Sequence, residues 1–122
     1  MMDEPNLDRV ESPVVVEVLA TERLRTLALC RALRQDFDSI VEASRSSNAD
    51  DEHDPEGATV AFERAQVVAL LAQSDSRLDE IDRALQRCRQ GTYGTCDSCG
   101  EAIAAERLVA RPAASTCLRC AI

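Results

Sequence analysis

Cys96-Asp97-Ser98-Cys99, followed after 17 residues by Cys117-Leu118-Arg119-Cys120, decides how the C-terminal part of this chain folds. A gap of two residues lets both thiolates of a pair turn onto one ion, and two pairs complete a tetrahedral site for Zn2+. Four sulfurs leave no position open for water or substrate, so the single zinc ion reads as a structural clamp and not a catalyst. Two disulfides are the alternative. They suit an oxidising compartment, whereas the rest of the chain looks cytosolic.

Working back from the cysteines, Gly91 is placed to end a long helix. That helix is expected to open at Asp54-Pro55 and to run to about Arg89 or Gln90. Its main apolar stripe is Val60, Val67, Leu71, Leu78, Ile81, Leu85 and Cys88, and Ala58, Ala61, Phe62, Ala65, Ala69 and Ala72 form a second, narrower face. Ser12-Pro13 gives the same opening signal further upstream, a good N-cap followed by proline at the first helical position. From there Val15, Leu19, Leu29, Leu33 and Ile40 fall at alternating steps of three and four, with Glu22, Thr26 and Asp36 between them and Phe37 alongside. This first helix is expected to fray at Ser44–Ser47.

The fold class is therefore mainly α: a long antiparallel coiled-coil helical hairpin followed by a small four-Cys zinc finger. The expected domains are a flexible acidic N-terminus at 1–12, the hairpin at 13–90 with an acidic tip near 46–56, and the finger at 91–122. Two helices of similar length joined by a short link favour pairing within one chain, as a monomer, over an intermolecular coiled coil. Each helix would reach roughly 50 Å at about 1.5 Å per residue. Pairing about a centre near residue 51 puts Cys30 opposite residue 72 and Cys88 opposite residue 14, too far apart for a disulfide. Both then read as small buried apolar residues.

Composition narrows the function classes. The net charge is −8, with 8 Arg against 19 acidic residues in 1–82 and 6 Arg against 3 in 83–122. An acidic body argues against duplex DNA as the main partner, because that affinity comes mostly from neutralising phosphates. A protein with a basic surface is the better expectation. The start is polar and acidic, unlike a secretory signal, and no apolar run approaches the roughly 18 residues of a membrane span. The expected location is the cytoplasm, with no membrane partner. No Ser/His/Asp set, phosphate loop or open metal site is visible, so an enzyme is not expected.

The turn Ser46-Ser-Asn-Ala-Asp50-Asp51-Glu52-His53-Asp54-Pro55-Glu56 holds five carboxylates and no Arg. Asp54 as a cap and Glu56 beside a helix N-terminus have ordinary structural reasons. Those reasons do not extend to Asp50, Asp51 and Glu52, whose charges suit a cation, an Arg-rich pocket or a metal site elsewhere. Both readings of the turn stay open. His53, the only histidine, reads as exposed and not as a metal ligand.

The segment Gly91-Thr-Tyr-Gly-Thr-Cys96-Asp-Ser-Cys99-Gly-Glu-Ala-Ile103, with Glu106-Arg-Leu108-Val-Ala-Arg111-Pro112 and Cys117-Leu-Arg-Cys120, resembles the zinc finger of the DksA/TraR family. Its characterised members carry a four-Cys finger beside a coiled-coil hairpin and bind RNA polymerase through the secondary channel, with acidic tip residues near the catalytic centre. They alter promoter-complex lifetime, some together with the alarmone ppGpp. The resemblance implies the same partner here, transcription regulation without sequence-specific DNA contact, and the involvement of ppGpp as an open question. DksA has an Asp-x-x-Asp-x-Ala tip motif. An ungapped count from Cys96 lays it on His53-x-x-Glu56-x-Ala58, and a shift of two residues on Asp51-x-x-Asp54-x-Glu56. The implied tip residues are Asp51, Asp54, Glu56 and Ala58. Arg107, Arg111 and Arg119 suit docking of the finger to an acidic polymerase surface, or neutralisation of the thiolates. A helical-hairpin adaptor for another protein and a nucleic-acid-binding zinc ribbon are the competing functions.

Overall fold

The computed structural model describes residues 13–47 and 55–121. Helix α1 spans Pro13–Ser47, α2 spans Pro55–Gln90 and the short α3 spans Ala105–Ala110. Proline stands at the first position of both long helices, where its missing N–H would have had no helical partner. Helix α1 continues through Ser44–Ser47, the stretch expected to fray. The two long helices form an antiparallel hairpin, in which Arg23 meets Asp82 and Arg34 meets Asp75.

The chain divides into two compact units, one of Met1–Arg25 with Leu78–Ile122 and one of Thr26–Arg77. In the first, Leu19, Ile81, Ala84 and Tyr93 make the buried core, with Val15, Leu85, Cys88, Leu108 and Ala113 packed around it. The Tyr93 hydroxyl donates to the Pro112 carbonyl at 2.7 Å, which gives the polar end of a buried ring its partner. The Arg23 guanidinium reaches Asp82 at 2.6 Å on a half-exposed surface. Gly91 ends α2 in the left-handed region at φ 77°. Its N–H donates to Cys88 O, and the Thr92 N–H donates to Arg87 O at 2.9 Å. These are the two bonds of a Schellman cap, which a residue with a Cβ would strain.

In the second unit Thr26, Cys30, Leu33 and Ser74 are buried. The Cys30 thiol donates to Asp75 at 3.6 Å, and Arg34 reaches the same carboxylate oxygen at 3.6 Å. Cys30 thus faces Asp75, three residues from the expected position 72. Burial, followed by the hydrogen bond to Asp75, pushes the Cys30 thiol above its ordinary value.

The seam of α1 corrects the expected one at two places. Leu29 is 51% exposed and Asp36 is exposed, while Cys30 is buried and Phe37 half-buried. The inward residues run Val15, Leu19, Glu22, Thr26, Cys30, Leu33, Phe37 and Ile40, with two consecutive steps of four at Thr26. The reason is the period of the helix. A strict three-four pattern averages 3.5 residues per turn and drifts about 20° per heptad against a helix of about 3.6. An extra step of four restores the facing side. On α2 the expected stripe faces inward, with Ser74 filling the gap between Leu71 and Leu78. The second alanine face is exposed, including Phe62 at 68%.

Candidate metal centre

The finger grows from the C-cap of α2. Beyond Gly91 the chain makes a single antiparallel bridge between Thr95 and Ala102. Within it the Cys96 N–H donates to Glu101 O at 2.8 Å and the Gly100 N–H to Cys96 O at 3.0 Å. This tight loop presents Cys96 and Cys99 on one side. Gly100, at φ 78°, takes the left-handed position that closes it. A matching loop at the C-terminus carries Cys117 and Cys120, held by Cys120 N–H to Cys117 O at 3.1 Å and Ala121 N–H to Cys117 O at 3.0 Å. The loops are joined by the Asp97 N–H, which donates to Ser115 O at 2.8 Å.

The four sulfurs of Cys96, Cys99, Cys117 and Cys120 lie within 4.8 Å of one another, and those of Cys99 and Cys117 are 3.8 Å apart. All six cysteines, including Cys30 and Cys88, are free. Zinc–sulfur bonds of about 2.3 Å in a tetrahedron require sulfurs about 3.8 Å apart. The donor set therefore fits one Zn2+ ion.

The four thiols are shifted in opposite directions, Cys96 and Cys117 down, Cys99 and Cys120 up. Backbone N–H groups, first that of Cys117 and then that of Cys99, pull the Cys96 thiol down to about 6. Cys117 is lowered as well, chiefly by the Cys120 N–H. Cys120 is pushed up to about 12, foremost by hydrogen bonding to Cys117. Four sulfurs this close share protons when no other cation is among them; a divalent ion replaces those protons and takes all four as thiolates.

With the fold and the sulfur cluster in place, the relatives can be set beside them. Residues 91–122 match the model of the prokaryotic dksA/traR C4-type zinc finger. The C-terminal module is a DksA/TraR-type finger. The fold of the chain is similar to that of transcription factor DksA2 from Pseudomonas aeruginosa, with a TM-score of 0.75 and 25% identity over 93% of this chain and 81% of that one. General stress protein 16O of Bacillus subtilis is 36% identical over 71 residues, 58% of this chain and 44% of that protein. Uncharacterized protein YteA of the same organism is 38% identical over 69 residues, 57% of this chain and 29% of that protein. The matched stretches thus span less than half of either Bacillus relative.

Around the DksA/TraR finger, the arginines singled out from the sequence have different surroundings. Arg107 is half-buried, and its Nε donates to Thr116 O at 2.8 Å, which ties α3 to the second cysteine loop. Arg111 and Arg119 are exposed. Ile103 is buried and Leu108 half-buried, whereas Val109 is 82% exposed. Ala58 is exposed on α2, and Glu56 belongs to the first turn of that helix. Asp51, His53 and Asp54 lie outside the described residues. Sequence reasoning missed Arg87, a buried arginine at the end of α2. Its position next to the stripe residue Cys88 was the available signal.

Proposed function

We propose that this protein is a non-enzymatic transcription regulator that binds RNA polymerase through its secondary channel, with the hairpin turn near the catalytic centre. The observation that carries the reading is the pairing of a DksA/TraR finger with a helical hairpin whose fold is similar to transcription factor DksA2 over 93% of the chain. In this reading the zinc-bound cysteines hold the finger together, and the turn carboxylates Asp51, Asp54 and Glu56, with Ala58 beside them, act on the polymerase. Arg111 and Arg119, being exposed, are the finger's docking side chains; Arg107 is engaged with Thr116 O and serves the finger's own shape. Regulation proceeds without sequence-specific DNA contact, in keeping with the net charge of −8. The protein works as a cytoplasmic monomer; among the described residues no helix is long and apolar enough to cross a membrane.

The test is transcription from a stable-RNA promoter with purified polymerase, with and without ppGpp. The parent protein is compared with one carrying Asp51→Asn, Asp54→Asn and Glu56→Gln. The parent is expected to change transcript yield and the neutralised protein to lose that effect. The arm with ppGpp decides whether the alarmone takes part. An unchanged yield with the parent in every condition overturns the proposal.

A further inference from the structure

We propose that Arg87 is a positioning residue for the metal centre: its guanidinium sets the spacing of the two cysteine loops and so the affinity for zinc. Among the described residues it is the one buried charged side chain, with 9% of its surface exposed. Its Nη2 donates to Ala114 O at 3.4 Å, three residues before Cys117. Its Nη1 lies 3.9 Å from the carboxylate of Asp97, the neighbour of Cys96. The two loops so addressed are the ones that the Asp97 N–H to Ser115 O bond joins. The backbone of Arg87 is itself fixed, since its carbonyl accepts the Thr92 N–H of the α2 cap. One side chain at the end of α2 thus touches both cysteine-bearing segments.

The pairing of this arginine is incomplete. Its Nε is buried and has no hydrogen-bond partner, and 3.9 Å to Asp97 is beyond hydrogen-bond length. A cation taken out of water needs compensating negative charge. Four thiolates on Zn2+ give the finger a net charge of about −2 at that site. Zinc binding therefore adds, beside the Asp97 carboxylate, negative charge on the two loops that this guanidinium touches, and the guanidinium favours the closed arrangement of the loops in return. Groups outside the ligand set that orient it typically change metal affinity by about 10- to 100-fold when removed.

The experiment measures zinc affinity of the full chain by chelator competition, with far-UV circular dichroism of the zinc-saturated proteins as the folding check. Arg87→Met keeps the bulk of the stem and removes the charge and the donors. The expected result is a loss of about 10- to 100-fold in zinc affinity at parental helicity. The visible bands of the Co2+-substituted protein, which report ligand geometry, are expected to shift. A change in affinity below about threefold overturns the proposal. So does a weaker affinity with unmoved cobalt bands, which assigns Arg87 to general stability alone. Should Arg87→Met fail to fold, Arg87→Lys decides: it keeps the charge but replaces the two-nitrogen fork by a single ammonium, so lowered zinc affinity upholds the role and parental affinity overturns it.

Discussion

Leu19→Ala set against Leu29→Ala tests the seam of α1. Both leucines belong to the apolar stripe of the sequence, but Leu19 is 0% exposed and Leu29 is 51% exposed. Leu19→Ala removes three buried carbons, worth roughly 2.4 kcal/mol at about 0.8 kcal/mol each. A cavity adds to that, because its neighbours cannot close over it. Ala84 has no reach, and Tyr93 is held by its hydroxyl at Pro112 O. The total comes to about 3–5 kcal/mol. Leu29→Ala removes atoms that already meet water and should cost about 0.5 kcal/mol. Urea unfolding of the zinc-saturated proteins, followed by circular dichroism, separates the two. With a slope of about 1–3 kcal/mol/M, Leu19→Ala lowers the midpoint by about 1 M or more, while Leu29→Ala moves it by less than about 0.5 M. Equal losses would mean that Leu29 lies in the seam, and would refute the step of four between Thr26 and Cys30.

Four further outcomes follow from the same contacts. Cys99→Ser should lose zinc, measured by metal content, while most hairpin helicity remains. Gly91→Ala puts a Cβ at φ 77° and should cost about 1–2 kcal/mol in the same unfolding assay. Arg23→Ala should cost less than about 1 kcal/mol, because both partners of its ion pair are about half exposed and screened by water. The buried Cys30 thiol has a folded-state value raised above the ordinary 9.0, so its contribution is fully present below that value. It is lost as pH rises through the raised one. Stability should therefore fall above about pH 9 in the parent, and fall less in Cys30→Ala.

The cysteine loops were legible because metal ligation fixes both residue type and spacing. Cys96, Cys99, Cys117 and Cys120 come together as their spacing requires. The ends of the long helices were legible too, since proline and glycine act through local backbone geometry at Pro13, Pro55 and Gly91. The seam was less so. Periodicity specifies a face only to within the drift between 3.5 and 3.6 residues per turn, and over α1 that drift exchanges Leu29 for Cys30 and Asp36 for Phe37. Buried polar residues were unevenly legible. Thr26 fell on the three-four stripe and is buried as that pattern requires, whereas Arg87 stands beside its stripe and faces inward because of Ala114 O and Asp97 opposite it.

Equilibrium binding of the zinc-loaded chain to purified RNA polymerase tests the central claim most directly. The expected result is saturable binding by the parent and an altered affinity on replacing Asp51, Asp54 and Glu56 by their amides. A well-folded, zinc-loaded protein that does not associate with the polymerase would contradict it.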